Sequence, residues 1–281
     1  MGCSVEPLAP DRLRTDVLAA LSPAGGEWAL YFKDLATGVE LAVRADDEFH
    51  PASTLKIWVM IKVYQDVHIG KYSLADSVEV TKIFPSAASK DPRPFEVEPT
   101  AKAVRAAIGG RLTIRELVEH MITVSDNVAT NLLIRQAGGP DAITECIRRC
   151  GAARSTVRRY IMDQQAFDEG MSSSAYARDF GVVLEKLARG EVVSPGASQE
   201  MLGVLSRLRE NQMLPGKLPR EVRVSHKTGA IDGIRADVGL VTLPDGRRYV
   251  AAFYARGLKD EKLGERCLAA ASRVLYDHVA H

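Results

Sequence analysis

The strongest pattern in the chain is a nearly continuous apolar run over Leu55–Asp66, interrupted early by Lys56. A helix that is apolar on almost every side must be surrounded by protein, so this run predicts a buried helix. Another helix is predicted to begin after Thr113, because Glu116 follows three residues later and the pair forms a capping-box pattern.

Strand patterns lie near the two ends of the chain, on either side of a helical middle. Residues 28–33 and 40–44 flank an Ala-Thr-Gly turn and predict a hairpin. Three further β-branched, alternating segments are separated by turns, within residues 220–229, 234–243 and 247–257. Helical spacing predicts the remaining helices, within residues 11–21, 127–139, 141–150, 172–190, 194–208 and 262–280.

This order of elements predicts an α/β protein of the α+β type, with a five-stranded antiparallel sheet built from both ends of the chain. The N- and C-terminal helices flank the sheet, and an all-helical lobe lies beside it. We expect a single unit over residues 1–281, with an α/β lobe at 10–52 and 220–281 and a helical lobe at 53–219. Residues 84–110 contain four prolines and predict an irregular insertion or lid.

Composition excludes several classes of partner. The 281 residues are 46% hydrophobic and 26% charged, and the net charge is +1. This balance gives no support for a nucleic-acid partner or for binding to an anionic membrane surface. No apolar run approaches the roughly 18 to 20 residues of a membrane-spanning helix. The N-terminus lacks the apolar core of a secretory signal, so we expect a cytoplasmic protein or the mature form of a secreted or periplasmic one.

The cysteines and histidines predict no metal site. Cys146 and Cys150 lie one helical turn apart, and a disulfide between them would strain a helix. We interpret them, together with Cys3 and Cys267, as buried or incidental thiols. The six histidines form no ligand cluster in the sequence, so we expect neither a metal nor another cofactor.

Ser53 and Lys56 are three residues apart at the start of the apolar run. On a helix this spacing puts both side chains on one face. A serine hydroxyl is a poor nucleophile until a base removes its proton, and a lysine can be that base if burial lowers its pKa. The structural alternative is a serine that caps the helix and a lysine that extends to solvent. Alone, the pattern is weak evidence.

A second pattern, Ser125-Asp126-Asn127, falls in the short connection between two predicted helices. A hydroxyl there could relay a proton to a leaving group, and an amide could hold a substrate carbonyl. The alternative is that Ser125 or Asp126 caps the following helix.

A third pattern, Lys227-Thr228-Gly229, stands at the end of a predicted strand. The lysine and threonine can bind a substrate carboxylate, and the glycine lets a substrate backbone lie close to the strand. The alternative is a surface lysine before a hairpin turn.

Together and in this order, the three patterns resemble those of class A β-lactamases and penicillin-binding proteins. The chain is identified as a class A β-lactamase-related serine hydrolase, and the resemblance extends over nearly its whole length. It implies a two-lobed serine acyl-transferase. Ser53 would attack an amide or lactam carbonyl, with Lys56 as a candidate acylation base.

The resemblance also implies roles around the acylated serine. Ser125 would pass a proton to the departing nitrogen, and Asn127 would contact the amide side chain of the substrate. The backbone N–H groups of Ser53 and Ala230 would form the oxyanion hole, where such donors stabilise the transition state.

The substrate carboxylate would be bound at the strand, by the same resemblance. Lys227 and Thr228 would contact it, and Gly229 would leave room for the substrate. Arg235, on the next strand, could add positive charge near the carboxylate, or it could be a surface arginine with a structural role.

One family element is missing from the sequence. Class A β-lactamases carry Glu-x-x-Leu-Asn in a loop after the helical block, and this glutamate positions the water that removes the acyl group. The segment that matches best has Arg159 at the glutamate position and Asp163 at the asparagine position. Asp163 is our preferred substitute base, with Asp168 and Glu169 as the other carboxylates available. The alternative is that Asp163 fixes the loop by binding backbone N–H groups.

The sequence therefore predicts a serine hydrolase of the β-lactamase type, which opens a β-lactam or a related amide or ester through an acyl-Ser53 intermediate. The missing glutamate predicts weak deacylation. Two alternatives remain open: a penicillin-binding acyl-enzyme trap or sensor without turnover, and a D-alanyl-D-alanine peptidase or esterase. We expect a monomer with a small-molecule substrate, no nucleic-acid or membrane partner, and a part in β-lactam antibiotic catabolism and resistance.

Overall fold

The computed structural model describes residues 10–281, so the prediction for Cys3 lies outside the described residues. The helices in this part are α1 (Pro10–Leu21), α2 (Lys56–His68), α3 (Lys102–Ala106), α4 (Ile114–Thr123), α5 (Asn127–Gln136), α6 (Pro140–Cys150), α7 (Gln164–Asp168), α8 (Ala177–Arg189), α9 (Pro195–Leu205) and α10 (Glu261–Ala280). The strands are β1 (Glu27–Asp34), β2 (Glu40–Val43), β3 (Ser77–Glu79), β4 (Ile83–Phe84), β5 (Phe95–Glu96), β6 (Arg111–Thr113), β7 (Arg223–Ile231), β8 (Ile234–Thr242) and β9 (Arg248–Arg256).

Five strands form one antiparallel sheet, in the order β2-β1-β9-β8-β7. The first hairpin and the last three strands join where β1 pairs with β9, from Glu27 opposite Arg256 to Asp34 opposite Tyr249. The predicted five-stranded antiparallel sheet from both ends of the chain is confirmed. The predicted hairpin matches β1 and β2 to within one residue at each end.

Terminal helices and the helical lobe cover the sheet. One apolar cluster includes Leu13 of α1, Phe32 and Phe253 of the sheet, and Leu268 of α10, so the predicted flanking helices pack beside these strands. A second cluster joins the sheet to the helical lobe. In it, the ring of Trp58 stacks on Phe180 with centroids 4.0 Å apart. Among residues 10–281, no helix is both long and apolar enough to cross a membrane.

The apolar run predicted to be a buried helix is α2, at the centre of the helical lobe. Its apolar side chains from Ile57 to Val63 are fully buried, and Lys56 is buried with them. A 3₁₀ turn, Ala52–Leu55, precedes the helix and contains Ser53. The nucleophile candidate therefore stands at the entrance to the most buried helix of the lobe.

The proline-rich segment is more regular than its sequence predicts. β4 pairs with β5, α3 follows them, and β3 pairs with β6. Phe84 explains why the segment is regular. Its ring is fully buried beside Phe95 and Tyr160, and it anchors the segment to the lobe. The mainly helical lobe thus carries two short ribbons that the apolar pattern did not predict.

Candidate active site

Ser53 is held in a turn with an unusual backbone. Ala52, the residue before it, has φ of 44°, in the left-handed region that non-glycine residues seldom occupy. The N–H of Ala52 donates to Nδ1 of His50 at 3.0 Å. This bond fixes the turn and identifies Nδ1 as the unprotonated ring nitrogen of His50. The sequence analysis did not identify His50, because nothing in its neighbourhood indicates that its ring folds back on the chain.

Lys56 connects the first two sequence patterns. Its Nζ donates to the carbonyl oxygen of Ser125 at 2.7 Å, to Ser125 Oγ at 3.0 Å and to Asn127 Oδ1 at 2.8 Å. Ser125 adopts φ of 57°, which turns its carbonyl and hydroxyl toward the lysine. Ser53 Oγ is not among the partners of this amine within residues 10–281, and contacts between catalytic groups often tighten only when substrate binds.

The surroundings of Lys56 favour its neutral form. Burial lowers the pKa of this lysine well below its usual value, and the nearby charge of Lys227 lowers it further. The carboxylates of Asp126 and Glu210 act in the opposite direction and only partly offset these two effects. A buried lysine with a lowered pKa can accept a proton from a neighbouring hydroxyl.

Asp126 explains how the connection between α4 and α5 presents its neighbours to Lys56. Its Oδ1 accepts from the N–H of Ala129 at 2.7 Å and caps α5, while its Oδ2 accepts from the N–H of Ala101 at 2.7 Å. The capping alternative is thus correct for Asp126. Because the cap uses only this side chain, Ser125 and Asn127 remain directed at Lys56.

The third pattern lies on β7. Lys227 is fully buried, its Nζ donates to the carbonyl of Thr228 at 3.0 Å, and burial lowers its pKa to about 8. Thr228 Oγ1 donates to Glu210 Oε2 at 2.6 Å. Glu210, in the loop after α9, was not identified from the sequence, because a threonine and a glutamate on separate elements give no local pattern.

Gly229 lets β7 lie close to the turn that contains Ser53. A Cβ atom at this position would lie 3.0 Å from Ala52 Cβ, 3.0 Å from Pro51 O and 3.3 Å from Ser53 N. The neighbouring residue, Ala230, lines one cleft together with Ser53. The assignment of their two N–H groups to an oxyanion hole stays a prediction, which this close approach supports.

The cleft beside Ser53 has a volume of about 350 Å³ and a mostly apolar wall. Its lining residues are His50, Ala52, Ser53, Leu55, Asn127, Arg159, Tyr160, Ile161, Met162, Gln164, Phe167, Ser173, Ala230 and Ile231. None of these side chains is a carboxylate. The loop wall is fixed by Asn131, whose amide donates to the carbonyl of Ile161 at 3.0 Å and accepts from its N–H at 2.8 Å.

Asp163, our preferred substitute base, is buried and does not line the cleft. Its carboxylate accepts from Ser86 Oγ at 2.7 Å, from the N–H of Ala87 at 2.7 Å and, as the cap of α7, from the N–H of Ala166 at 3.2 Å. These three bonds favour the alternative in which Asp163 fixes the loop. The catalytic role stays a prediction.

The other two loop carboxylates are also hydrogen-bonded within the protein. Asp168 accepts from Gln164 Nε2 at 2.6 Å, and Glu169 accepts from the N–H and Oγ of Ser89 at 2.7 and 2.8 Å. Neither side chain lines the cleft.

Arg235 makes ion pairs within the α/β lobe. Its Nε lies 3.0 Å from Glu265 and its Nη2 lies 2.7 Å from Glu261, both on α10. Its Nη1 donates to the carbonyls of Ile231 and Ile234. These contacts leave little of the guanidinium for a substrate, so they favour a structural role for Arg235. The residue is buried, not on the surface as that alternative assumed.

A buried lysine amine that is bonded to a serine and an asparagine, one helical turn from a serine that lines a cleft, is the arrangement expected of a serine acyl-transferase. Comparison with known proteins agrees: the model of the β-lactamase enzyme family matches residues 12–279, so the chain belongs to this family. It is a serine hydrolase of the β-lactamase type.

Relatives and solved structures support this membership. A β-lactamase of Streptomyces albus G is 28% identical, over 92% of this chain and 82% of that protein. A β-lactamase of Rhodobacter capsulatus is 31% identical, over 62% of this chain and only 55% of that protein. The β-lactamase structure from Sphaerobacter thermophilus has 27% identity and a TM-score of 0.83, over 97% of this chain and 98% of that one. The structure of PBP-A has 26% identity and a TM-score of 0.81, over 97% and 96%.

Proposed function

We propose that this protein hydrolyses β-lactams through an acyl-Ser53 intermediate and that deacylation limits its turnover. The observation that carries the proposal is the buried amine of Lys56, which is bonded to Ser125 and Asn127 one helical turn from Ser53. Family membership supports the reaction type. The β-lactam class comes from the names of the relatives and from a PBP-A variant, with glutamate in place of a leucine, that is described as an acyl-enzyme with penicillin G.

Acylation uses the proton path that starts at Lys56. Ser53 Oγ forms a bond to the lactam carbonyl carbon while Lys56 Nζ accepts the hydroxyl proton. The lactam C–N bond then breaks. Its nitrogen takes a proton from Ser125 Oγ, which recovers one from Lys56 across their 3.0 Å contact. The amine is neutral again at the end of the step, and such proton transfer is typically worth about 10²- to 10⁴-fold in rate.

Substrate binding uses groups on both sides of Ser53. The N–H groups of Ser53 and Ala230 would receive the oxyanion, and Lys227 with Thr228 would bind the carboxylate of the lactam nucleus. Asn127 uses Oδ1 to accept from Lys56, so its Nδ2–H donors remain for the carbonyl of the acyl side chain.

Deacylation lacks the carboxylate that the family usually provides. Among the described residues, no Asp or Glu lines the cleft. We propose that Lys56, neutral after acylation, also removes the proton from the attacking water. Since this amine is held by Ser125 and Asn127 rather than aimed at a water site in the loop, we expect the acyl-enzyme to accumulate.

The test is intact-protein mass over time after addition of a chromogenic cephalosporin, with absorbance followed in parallel. We expect a mass adduct on Ser53 in the steady state together with continued colour formation. Ser53→Ala should abolish both signals. Asp163→Asn tests the loop carboxylate, and its matched control is Asp168→Asn, because Asp168 is an exposed carboxylate in the same loop.

Each outcome has a distinct meaning. A persistent adduct with one equivalent of colour would indicate an acyl-enzyme trap and contradict turnover. Full turnover by Ser53→Ala would refute the acyl-serine mechanism. Continued colour without a steady-state adduct in the wild type would refute the proposal that deacylation limits turnover, and an absence of both signals would refute the β-lactam reaction. A large loss of turnover in Asp163→Asn but not in Asp168→Asn, with unchanged acylation, would make Asp163 the deacylation base instead of Lys56.

A further inference from the structure

The cleft beside Ser53 contains a cation that has no counter-ion in the described part of the chain. Arg159 lines this cleft together with Ser53 and Asn127. Its Nη1 donates to the carbonyl of Tyr160 at 3.2 Å, and its Nε is buried with no hydrogen-bond partner among residues 10–281. The residue is partly buried, and placing a guanidinium there without a carboxylate partner costs free energy. The arrangement is therefore suited to an anion that arrives with a ligand.

Other arginines of this protein show what a paired guanidinium looks like. Arg178 Nη1 lies 2.7 Å from Glu40, and Arg256 Nη2 lies 2.7 Å from Glu27. Arg159 has no such pair within 4.0 Å of any carboxylate in residues 10–281. Burial accordingly lowers its pKa, although arginine remains protonated at neutral pH.

Asp163 is the acidic side chain that interacts with Arg159 over a longer distance, and it does not neutralise the guanidinium by contact. Both of its oxygens are occupied, by Ser86 Oγ and the N–H of Ala87 at 2.7 Å each and by the N–H of Ala166 at 3.2 Å. It is thus fixed to the loop and cannot turn toward the cleft without breaking these bonds.

The ring of Phe167 orients the guanidinium. Arg159 Cζ lies over this ring, 5.1 Å from its centroid, and Phe167 also lines the cleft. The ring contact uses the face of the guanidinium. Because Nη1 already donates to Tyr160 and Nε is buried, Nη2 is the nitrogen left for a carboxylate that enters the cleft.

We propose that Arg159 is a specificity-determining residue that binds a carboxylate on the acyl side chain of the substrate. The proposal rests on the proposed function. It places the carboxylate on the acyl side because Asn127 shares this cleft with Arg159, whereas Lys227 and Thr228 do not line it. The preferred substrates would therefore carry two carboxylates, one on the lactam nucleus for Lys227 and one on the acyl side chain for Arg159.

The first test compares carbenicillin with benzylpenicillin, which differ by one carboxylate on the acyl side chain. The readout is the ratio of their kcat/KM values, in which any general loss of activity cancels. We expect Arg159→Gln to lower this ratio by about 10- to 100-fold, as for a lost hydrogen bond to a charged group. Arg159→Lys keeps the charge without the planar fork and should give an intermediate ratio. The Arg159→Lys variant also provides the test if Arg159→Gln does not fold.

The second test does not depend on acylation. The monoamide of phenylmalonate and phenylacetamide correspond to the acyl groups of the two penicillins and differ by the same carboxylate. Calorimetry can measure their binding to Ser53→Ala protein and to the Ser53→Ala, Arg159→Gln double variant. Tighter binding of the phenylmalonate monoamide, lost in the double variant, would support the carboxylate subsite even if neither penicillin acylated Ser53. Failure of both penicillins to acylate Ser53 would then refute the proposed β-lactam reaction alone.

Equal ratios for wild type and both Arg159 variants, together with equal binding of the two amides, would overturn the subsite. Normal acylation by both penicillins in that case would leave the proposed function intact.

Discussion

Acid should destabilise this protein through His50. Its imidazole lines the cleft, accepts the N–H of Ala52 at 3.0 Å through Nδ1, and is held by the turn that contains Ser53. Burial, and secondarily the charge of Arg159, lower its pKa from the usual 6.5 to about 4. Protonation would place a donor opposite the N–H of Ala52 and add a cation beside Arg159.

The size of the effect follows from the two pKa values. As pH falls below 6.5 the unfolded chain binds a proton at His50, whereas the native protein does not until about pH 4. The stability contribution is therefore present above pH 6.5 and is lost between pH 6.5 and pH 4. Between pH 7 and pH 5 the loss of unfolding free energy should be about 2 kcal/mol.

The assay is urea unfolding at pH 7, 6 and 5, followed by tryptophan fluorescence, for wild type and His50→Asn. Asparagine places a side-chain oxygen near the position of Nδ1, so it can accept from Ala52 but does not titrate. Other titrating groups contribute equally to both proteins and cancel in the difference. We expect the variant to lose about 2 kcal/mol less than wild type over this range. The same loss in both proteins would refute a lowered pKa at His50.

Three further outcomes follow from the site. Ile161→Glu should raise the deacylation rate in a stopped-flow chase of the acyl-enzyme, because it adds a carboxylate to the cleft wall that Asn131 fixes. Ile161→Gln is the matched control, and an equal gain in both variants would exclude general-base action by the carboxylate. Glu210→Gln should lower the KM for benzylpenicillin several-fold, since it removes a negative charge 2.6 Å from Thr228 Oγ1 where the substrate carboxylate is expected, and an unchanged or higher KM would contradict that position. Gly239→Ala should destabilise the protein by about 1–3 kcal/mol or more in thermal unfolding, because its Cβ would lie 2.5 Å from that of His226, and wild-type stability would show that β7 and β8 can separate at no cost.

The sequence predicted those parts of the fold that depend on local pattern. The β-rich run of β1 before a turn and the continuous apolar run of α2 are both local signals, so both elements were predicted with nearly correct bounds. The two-stranded ribbon of β4 and β5 was not predicted, because it depends on the burial of Phe84 against residues distant in sequence.

In the candidate site, too, some residues were predicted from local sequence patterns and others were not. Lys56 and Ser125 belong to spaced patterns and were assigned to one site through the family resemblance, and in the structure Lys56 Nζ lies 3.0 Å from Ser125 Oγ. His50 was not predicted because its bond to the N–H of Ala52, two residues away, depends on the unusual backbone of the turn. Glu210 was not predicted because it contacts the site through a single tertiary hydrogen bond, to Thr228. Arg159 was noted only as the residue in place of a glutamate. Its missing counter-ion becomes visible once the loop is folded.

The pairing of β1 with β9 has a consequence for how the chain matures during synthesis. Glu27 and Arg256 lie opposite each other although 229 residues separate them. A ribosome completes the first hairpin and Ser53 long before it supplies β9 and β7. Until then one edge of β1 stays unpaired, and Ser53 lacks the wall that Gly229 brings against it. Such long-range closure is slow and leaves a strand edge open to aggregation in the meantime. The nascent polypeptide therefore carries Ser53 early, but the cleft around this residue can be completed only when the final strands have been added.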